Sequence, residues 1–408
     1  LKQQNKLKIL NDPIYGFITI PNEDLFQIIE HPYFQRLRRV TQMGLSYLVY
    51  PGAHHTRFHH ALGCMYLMQK AVHVLRAKSV AISDQEEDAL YKAILLHDIG
   101  HGPFSHAMEH SIIENVSHED LSIEFMQAIN NEMNGGLDLA LKIFKGEYHR
   151  PFMMQLISSQ LDMDRLDYLK RDSFYTGVAE GNINSERLIS MLNVKDELLV
   201  VEEKGIYSVE HFLTSRKLMY WQVYLHKTGI GAEHLLQSVF QRMKQLLKQK
   251  SQLHLTADLH YFLTNKVAVS DFKEENLKRF SRLDDTDLIA ALKVGAQHED
   301  FVLSELCNMI LNRQLLRIKF LDHPVASEVL EEKKNLLMKC YQLTAQEAQY
   351  FVFSGSVSNT AFAKAKPIKI LSKKGELVDL IDAGDSATFN ALTQKTIKHY
   401  YCYPKLQD

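Results

Sequence analysis

The sequence predicts a mainly α-helical protein, a helical body carrying short β-hairpins, followed by a smaller α+β region. Three observations carry that expectation. Apolar residues recur at helical spacing through most of the first 250 positions. Alternating, β-rich runs are short and sit at the N-terminus, near residue 200 and in the C-terminal quarter. The regular strand–helix series that builds a parallel doubly wound sheet is missing.

The elements follow in chain order. Lys8-Ile9-Leu10 and Phe17-Ile18-Thr19-Ile20 flank Asn11-Asp12-Pro13 and Tyr15-Gly16, a strand, turn, strand pattern. From Asn22 the period changes, with Leu25, Ile28 and Ile29 on one helical face; Pro32 opens the next piece, where Phe34, Leu37, Val40 and Thr41 keep that spacing. A long helix is expected over 57–76, through Leu62, Met65, Tyr66, Met68, Val72 and Leu75. Ser83 with Glu86 forms a capping box that starts a helix running to Leu96. Helix then dominates to about residue 250, except for a loop at Gly135-Gly136 and a hairpin expected over 198–207, centred on Glu203-Lys204-Gly205. Near residue 325 the texture shifts. A charged helix is expected over 328–341, and β-rich pieces over 350–353, 368–371, 377–381 and 400–403, with a hairpin turn at Lys373-Lys374-Gly375-Glu376. The expected division is 1–325 for the helical body and 326–408 for the smaller region.

Composition narrows the function classes. At 408 residues with 46% hydrophobic content, the chain can bury a large core without staples. Its 47 basic and 49 acidic residues give a net charge of −2, which offers no general attraction to nucleic acid or an anionic membrane. Cys64, Cys307, Cys340 and Cys402 are far apart, which points to a reducing compartment and away from a cysteine-based structural zinc site. With no apolar run of about 18 residues and no signal-peptide core at the start, the expected location is cytoplasmic.

The sharpest local feature is Leu95-Leu96-His97-Asp98-Ile99-Gly100-His101-Gly102-Pro103-Phe104-Ser105-His106. An apolar helix end delivers adjacent imidazole and carboxylate groups, nitrogen and oxygen ligands suited to a divalent metal. Upstream lies His54-His55-Thr56-Arg57-Phe58-His59-His60, and downstream Asp162-Met163-Asp164-Arg165-Leu166-Asp167-Tyr168, continuing to Asp172. On a helix Asp164, Asp167, Tyr168 and Asp172 share a broad face, and a bound cation offsets the repulsion of clustered acids. The plainer reading, a solvated acidic face with Asp162 as the cap, covers one carboxylate better than four.

These blocks, together with Thr214-Ser215-Arg216 through Tyr224-Leu225-His226-Lys227, resemble the HD-domain metal-dependent phosphohydrolases, and within them the deoxynucleoside triphosphate triphosphohydrolase, dGTPase-like branch, over roughly residues 8–325. The resemblance implies an HD-domain helical body and a divalent metal ion (Mn, Fe, Zn, Ni, Co or Mg) on His60, His97, Asp98 and Asp164. It implies catalytic roles for His106, His118, Asp98 and Glu109, the last standing where relatives commonly have Asp. Substrate contacts fall on Gln42, Arg57, Arg165, Tyr168, Asp172, Arg216, Tyr224 and Lys227. The implied reaction hydrolyses a deoxynucleoside triphosphate to deoxynucleoside and inorganic triphosphate. A GTP or dGTP effector is implied at Lys8, Glu30, Gln35 and Arg38, with Glu30 replacing an Asp of the pattern, and a homo-oligomer, dimer or tetramer, is expected. For this last group a structural hairpin and a solvated Arg36-Arg38-Arg39 face is the competing reading. Two alternative functions remain: a nucleotidase or phosphodiesterase on another phosphate ester, and a noncatalytic nucleotide-binding assembly protein.

Overall fold

In the computed structural model, which describes residues 8–104, 111–113, 116–360, 362, 367–384 and 386–405, the chain opens with an antiparallel hairpin. Strands β1 (Lys8–Asp12) and β2 (Gly16–Ile20) pair from Lys8 with Ile20 to Asp12 with Gly16. Asp12 closes the turn: its Oδ1 accepts from the amides of Ile14 at 2.9 Å and Tyr15 at 3.0 Å, and Gly16 takes the left-handed φ of +74°. Helix α1 (Glu23–Glu30) is capped by Asn22 and buries Leu25, Ile28 and Ile29. The following piece is shorter than the spacing predicts, α2 (Pro32–Gln35) and a 3-10 turn (Arg36–Arg39).

The centre of the body is α3 (Arg57–Ala77), whose buried residues occupy nearly every side of the helix, as expected of an element surrounded by others. Around it lie α4 (Asp84–Leu96), with the Ser83–Glu86 capping box in place, α5 (His118–Glu132), α6 (Asp138–Phe144), α7 (Pro151–Ile157) and α8 (Met163–Thr176). Where α3 crosses α8, a Cβ on Gly63 would lie 2.0 Å from Asp167 Oδ1 and 2.3 Å from Arg171 Nη2, so only glycine permits this approach.

After α9 (Ser185–Ser190) comes a hairpin in a different register from the expected one. Its strands are β3 (Leu192–Lys195) and β4 (Leu198–Glu202), turning at Asp196 and Glu197 with φ of +52° and +58°. Both central residues with positive φ match the twist of a two-residue hairpin. The segment Glu203–Gly205 instead makes a 3-10 turn into α10 (Ile206–Met219). Gly205 serves packing there, since a Cβ would meet Val201 Cγ1 at 2.7 Å. A π-helical turn (Tyr220–Tyr224) separates α10 from α11 (Lys227–Lys248).

Four helices, α12 (Ala257–Thr264), α13 (Glu274–Ser281), α14 (Asp285–Gly295) and α15 (Phe301–Leu311), precede β5 (Arg317–Leu321), α16 (Ser327–Tyr341) and α17 (Ala345–Ala348). The strand expected at 350–353 begins where that range ends, as β6 (Phe353–Asn359). Then come β7 (Lys369–Leu371), β8 (Leu377–Asp379), α18 (Leu380–Ala383), α19 (Ser386–Thr393) and β9 (Thr396–Tyr403). The turn between β7 and β8 lies at the expected position, with Gly375 at φ +82°. The strand orders are β1-β2, β3-β4-β7-β8 and β5-β9-β6, and β4 with β7 is the parallel pair. Pairing therefore links segments on both sides of residue 325. No helix among the described residues is long and apolar enough to cross a membrane.

Candidate metal centre

Three helices bring the four expected ligand residues close to one another. Thr56 leads into α3, which carries Arg57 and His60 one turn apart; α4 ends so that His97 occupies its C-cap and Asp98 follows; Asp162 caps α8, accepting from the Arg165 amide at 2.7 Å, and Asp164 lies in the first turn. His60 Nε2 lies 3.1 Å from Asp164 Oδ1 and 3.7 Å from Asp98 Oδ2. His97 Nε2 lies 3.4 Å from Asp98 Oδ1 and 3.6 Å from Asp164 Oδ1.

The tautomers suit a cation. His60 Nδ1 donates to Asp167 Oδ2 at 2.7 Å and His97 Nδ1 to the Ile94 carbonyl at 2.7 Å, so each ring turns Nε2 toward the shared point. His97 Nε2 is buried and has no hydrogen-bond partner, an orphan that a metal ion satisfies. Donor atoms of His60, Cys64, His97 and Asp164 all lie within 4.8 Å of one another, as do those of Asp98, His101 and His118. The set fits a divalent metal of the nitrogen- and oxygen-preferring kind.

Electrostatics agrees. Burial opposes charge on His60, but Cys64, Asp164 and Asp167 overcome it and hold the imidazole well above its usual pKa. Burial likewise disfavours the Asp98 carboxylate, which His97, His101 and Arg57 draw far below the ordinary range, and Asp164 is drawn down against its own burial by the neighbouring imidazoles of His60 and His97. A metal-ligating imidazole must be neutral, so protonation of these rings and metal binding compete.

The surrounding shell is built from buried and half-buried ion pairs. Arg57 Nη1 donates to Asp98 Oδ2, Arg165 Nη1 to Asp162 Oδ2 at 2.5 Å, and Arg171 to both oxygens of Asp167, through Nε at 2.8 Å and Nη2 at 3.0 Å. His118 stacks on His101 with ring centroids 3.8 Å apart. Beside this lies an aromatic and acidic wall: Asp172 accepts from Tyr224 at 2.7 Å and pairs with His55 Nε2 at 2.6 Å, and Tyr224 meets Tyr168 and Tyr220 edge-on at 5.9 and 5.1 Å. The half-buried Arg216 lies 5.8 Å from the Tyr220 ring, and its charge and that of Arg165 both act on Tyr168.

Most of the expected site residues thus converge. Gln42 joins through its backbone, donating to the His55 carbonyl at 2.9 Å, while its Oε1 is buried without a partner. Lys227 is exposed at the first turn of α11, where its charge acts on His226, and no described contact carries it to the metal ligands. His106 and Glu109 lie outside the described residues. Of the effector group, Lys8 Nζ pairs with Glu23 at 3.3 Å, Arg38 donates to Gln35 Oε1 at 2.8 Å, and Glu30 is exposed. The solvated arginine face is corrected at Arg36, which is fully buried and donates to the carbonyls of Ile99 at 2.7 Å and His101 at 2.9 Å, bracing the loop after Asp98. Sequence reasoning missed Arg36 as well as the pairing of Asp167 with Arg171; only the i, i+4 spacing of the latter was a visible signal.

A helical body that turns two imidazoles and two carboxylates toward one point is a scaffold able to hold a divalent metal ion. Residues 57–172 match the HD domain family and residues 183–266 the HD associated region. A crystal structure of a phosphohydrolase from Bacteroides thetaiotaomicron VPI-5482 superimposes with a TM-score of 0.95 at 47% identity, covering 98% of this chain and all of that one. The uncharacterised protein YwfO of Bacillus subtilis (strain 168) is 29% identical over 417 residues, 98% of this chain and 92% of its own length. The deoxynucleoside triphosphate triphosphohydrolase SAMHD1 of Gallus gallus is 26% identical over 423 residues, 92% of this chain and 64% of its own. The chain belongs to the HD-domain phosphohydrolases.

Proposed function

We propose that the protein hydrolyses deoxynucleoside triphosphates to deoxynucleoside and inorganic triphosphate. The observation that carries this reading is the adjacency of the metal centre to a wall suited to a deoxynucleoside: Tyr168 and Tyr224 offer ring faces and edges to a sugar or base, and Asp172, already bonded to Tyr224, offers a carboxylate to a 3′-hydroxyl. Similarity to SAMHD1 supports the same substrate class.

A bound metal ion supplies Lewis-acid polarisation of the phosphoryl group and a water of lowered pKa. Arg57, Arg165, Arg216 and Lys227 neutralise the triphosphate by charge-assisted hydrogen bonds, Arg57 and Arg165 exchanging their present carboxylate partners for phosphate oxygens. Water adds to the α-phosphorus, the bond to the 5′-oxygen breaks, and His118 or His106 returns a proton to that oxygen. Asp98 holds the stacked His101–His118 pair close to the ligand set.

The reading extends to a guanine-nucleotide effector. The exposed Arg38 lies 3.6 Å above the Phe58 ring, and Phe58 adjoins Arg57 on α3, which gives a short physical route from an outer anion site to the inner one. Lys8, Glu30 and Gln35 complete that outer group, and an effector held between copies would favour a dimer or tetramer.

The test is a metal-supplemented assay over four dNTPs and four rNTPs, with and without GTP, in which triphosphate, pyrophosphate and monophosphate are separated and light scattering follows assembly. Triphosphate release from dNTPs supports the reading. Monophosphate or cyclic-ester turnover alone replaces it with a nucleotidase or phosphodiesterase, and nucleotide binding without turnover replaces it with an assembly role. A fully active monomer indifferent to GTP removes the effector site.

A further inference from the structure

The N-terminal hairpin reaches the metal centre through a buried chain of charges. Asp12 Oδ2 accepts from Arg171 Nη1 at 2.8 Å, Arg171 grips both oxygens of Asp167, and Asp167 accepts from His60 Nδ1 at 2.7 Å. The side chains of Arg171 and Asp167 are 0% exposed, that of His60 1% and that of Asp12 3%, so water screens none of these contacts. Two carboxylates share one guanidinium in this chain, and its far end is the imidazole whose Nε2 faces the metal point.

We propose that Asp12 is a positioning residue for the metal ion, and that docking of the β1–β2 hairpin and metal binding reinforce each other. Two effects act with the same sign. Asp12 draws part of the Arg171 charge away from Asp167, leaving Asp167 a stronger acceptor for the His60 N–H and His60 Nε2 a better donor to a cation. Asp12 also contributes one negative charge to a region of low dielectric, which favours a divalent cation. Its Oδ1 has a separate task, holding the hairpin turn through the amides of Ile14 and Tyr15. The two tasks use different oxygens and are separable by substitution. The coupling runs through the Asp12–Arg171 contact alone: by reciprocity a bound metal strengthens that contact and with it the hairpin's docking, while apolar packing elsewhere in the hairpin does not enter it.

Asp12→Asn keeps an oxygen for the turn and removes the negative charge that faces Arg171. Ile18→Ala thins the hairpin's buried packing without touching a charge, and so measures the purely structural effect. Co(II) is titrated into metal-stripped, full-length protein and followed by ligand-field absorption. Asp12→Asn is expected to weaken Co(II) binding about tenfold, the lower end of what outer-shell partners of metal ligands contribute. The spectrum at saturation stays that of the parent, because the ligand atoms are the same. Ile18→Ala is expected to lower the melting temperature and to leave the Co(II) affinity within about twofold, since no charge near the metal changes. Parental affinity in Asp12→Asn overturns the proposal, and so does equal weakening in Ile18→Ala. Should Asp12→Asn fail to fold, hydrogen exchange of the parent protein decides: slower exchange of the amides of residues 8–20 on adding Co(II) supports the coupling, and unchanged exchange overturns it.

Discussion

Two sets of charged and polar residues lie within the first 172 positions, and burial separates them. The inner one, Asp12, Arg171, Asp167 and His60, is sealed from solvent, and each member is held by the next at 2.7 to 3.0 Å. The outer one, Lys8, Glu23, Gln35 and Arg38, is half-buried or exposed, with contacts of 3.3 Å between Lys8 and Glu23 and 2.8 Å between Arg38 and Gln35. Breaking a buried pair strands a charge that has no water to turn to, whereas exposed pairs exchange one solvated state for another. The inner set is therefore committed to one geometry, whereas the outer one can change partners at little cost, a property the proposed effector role would use.

The largest effect that sharpens this contrast is expected at the metal ligands. If Asp98 is a ligand as proposed, Asp98→Ala, which also takes from Arg57 the carboxylate it donates to, should bring bound metal and hydrolysis to background while the helical circular dichroism persists. Metal content by mass spectrometry checks it; full occupancy with normal turnover breaks the assignment. Next is Asp167→Asn, which orphans one face of Arg171 and is expected to cost about 3–5 kcal/mol in urea unfolding. A loss under about 1 kcal/mol would place the inner cluster in the same class as the outer.

Acidity gives a third measurement. Burial opposes the Asp167 charge, yet Arg171 and His60 hold its pKa down to about 2. Its unfolded value is about 3.9, so the unfolded chain binds more protons in the interval between. Stability from this group is fully present above about pH 4 and is lost as pH falls through about 2. Urea midpoints from pH 5 to 2.5 should decline steeply in the parent and less steeply in Asp167→Asn.

Arg216→Ala addresses the substrate wall. A loss of about 100-fold in kcat/KM for a triphosphate is expected, with little change in deoxynucleoside binding, because only the charge-assisted phosphate contact disappears. Equal losses on both ligands would count against phosphate contact. The smallest effect belongs to the outer cluster: Lys8→Ala should change stability by less than about 1 kcal/mol while abolishing any GTP activation.

The same contrast separates what was legible in the sequence from what was not. Local chemistry could be read directly. The Ser83–Glu86 box, the Asp12-to-Gly16 turn, the turn at Gly375 and the His97-Asp98 doublet at a helix end each depend on neighbours within a few residues, and each lies where expected. Asp12 and Arg171 are 159 positions apart, and no periodicity connects them. Arg36 reads as a surface residue because two arginines follow within three positions, yet the carbonyls it satisfies belong to the loop 63 and 65 residues later. The hairpin near 200 was misplaced because Asp196 and Glu197 carry no glycine to announce positive φ, while Gly205, kept for its closeness to Val201, resembles a turn residue.

The parallel contact between β4 and β7 bears on how the molecule is made. The four proposed ligands are synthesised by position 164 and β4 by 202, but its partner β7 arrives only at residues 369–371. Likewise β5, complete at 321, waits for β9 at 396–403. A nascent chain thus carries unpaired strand edges, templates for mispairing, during more than 70 further additions to the chain. Early termination after the catalytic helices would leave those edges open for good, so insolubility of such fragments is the expected mark of this topology.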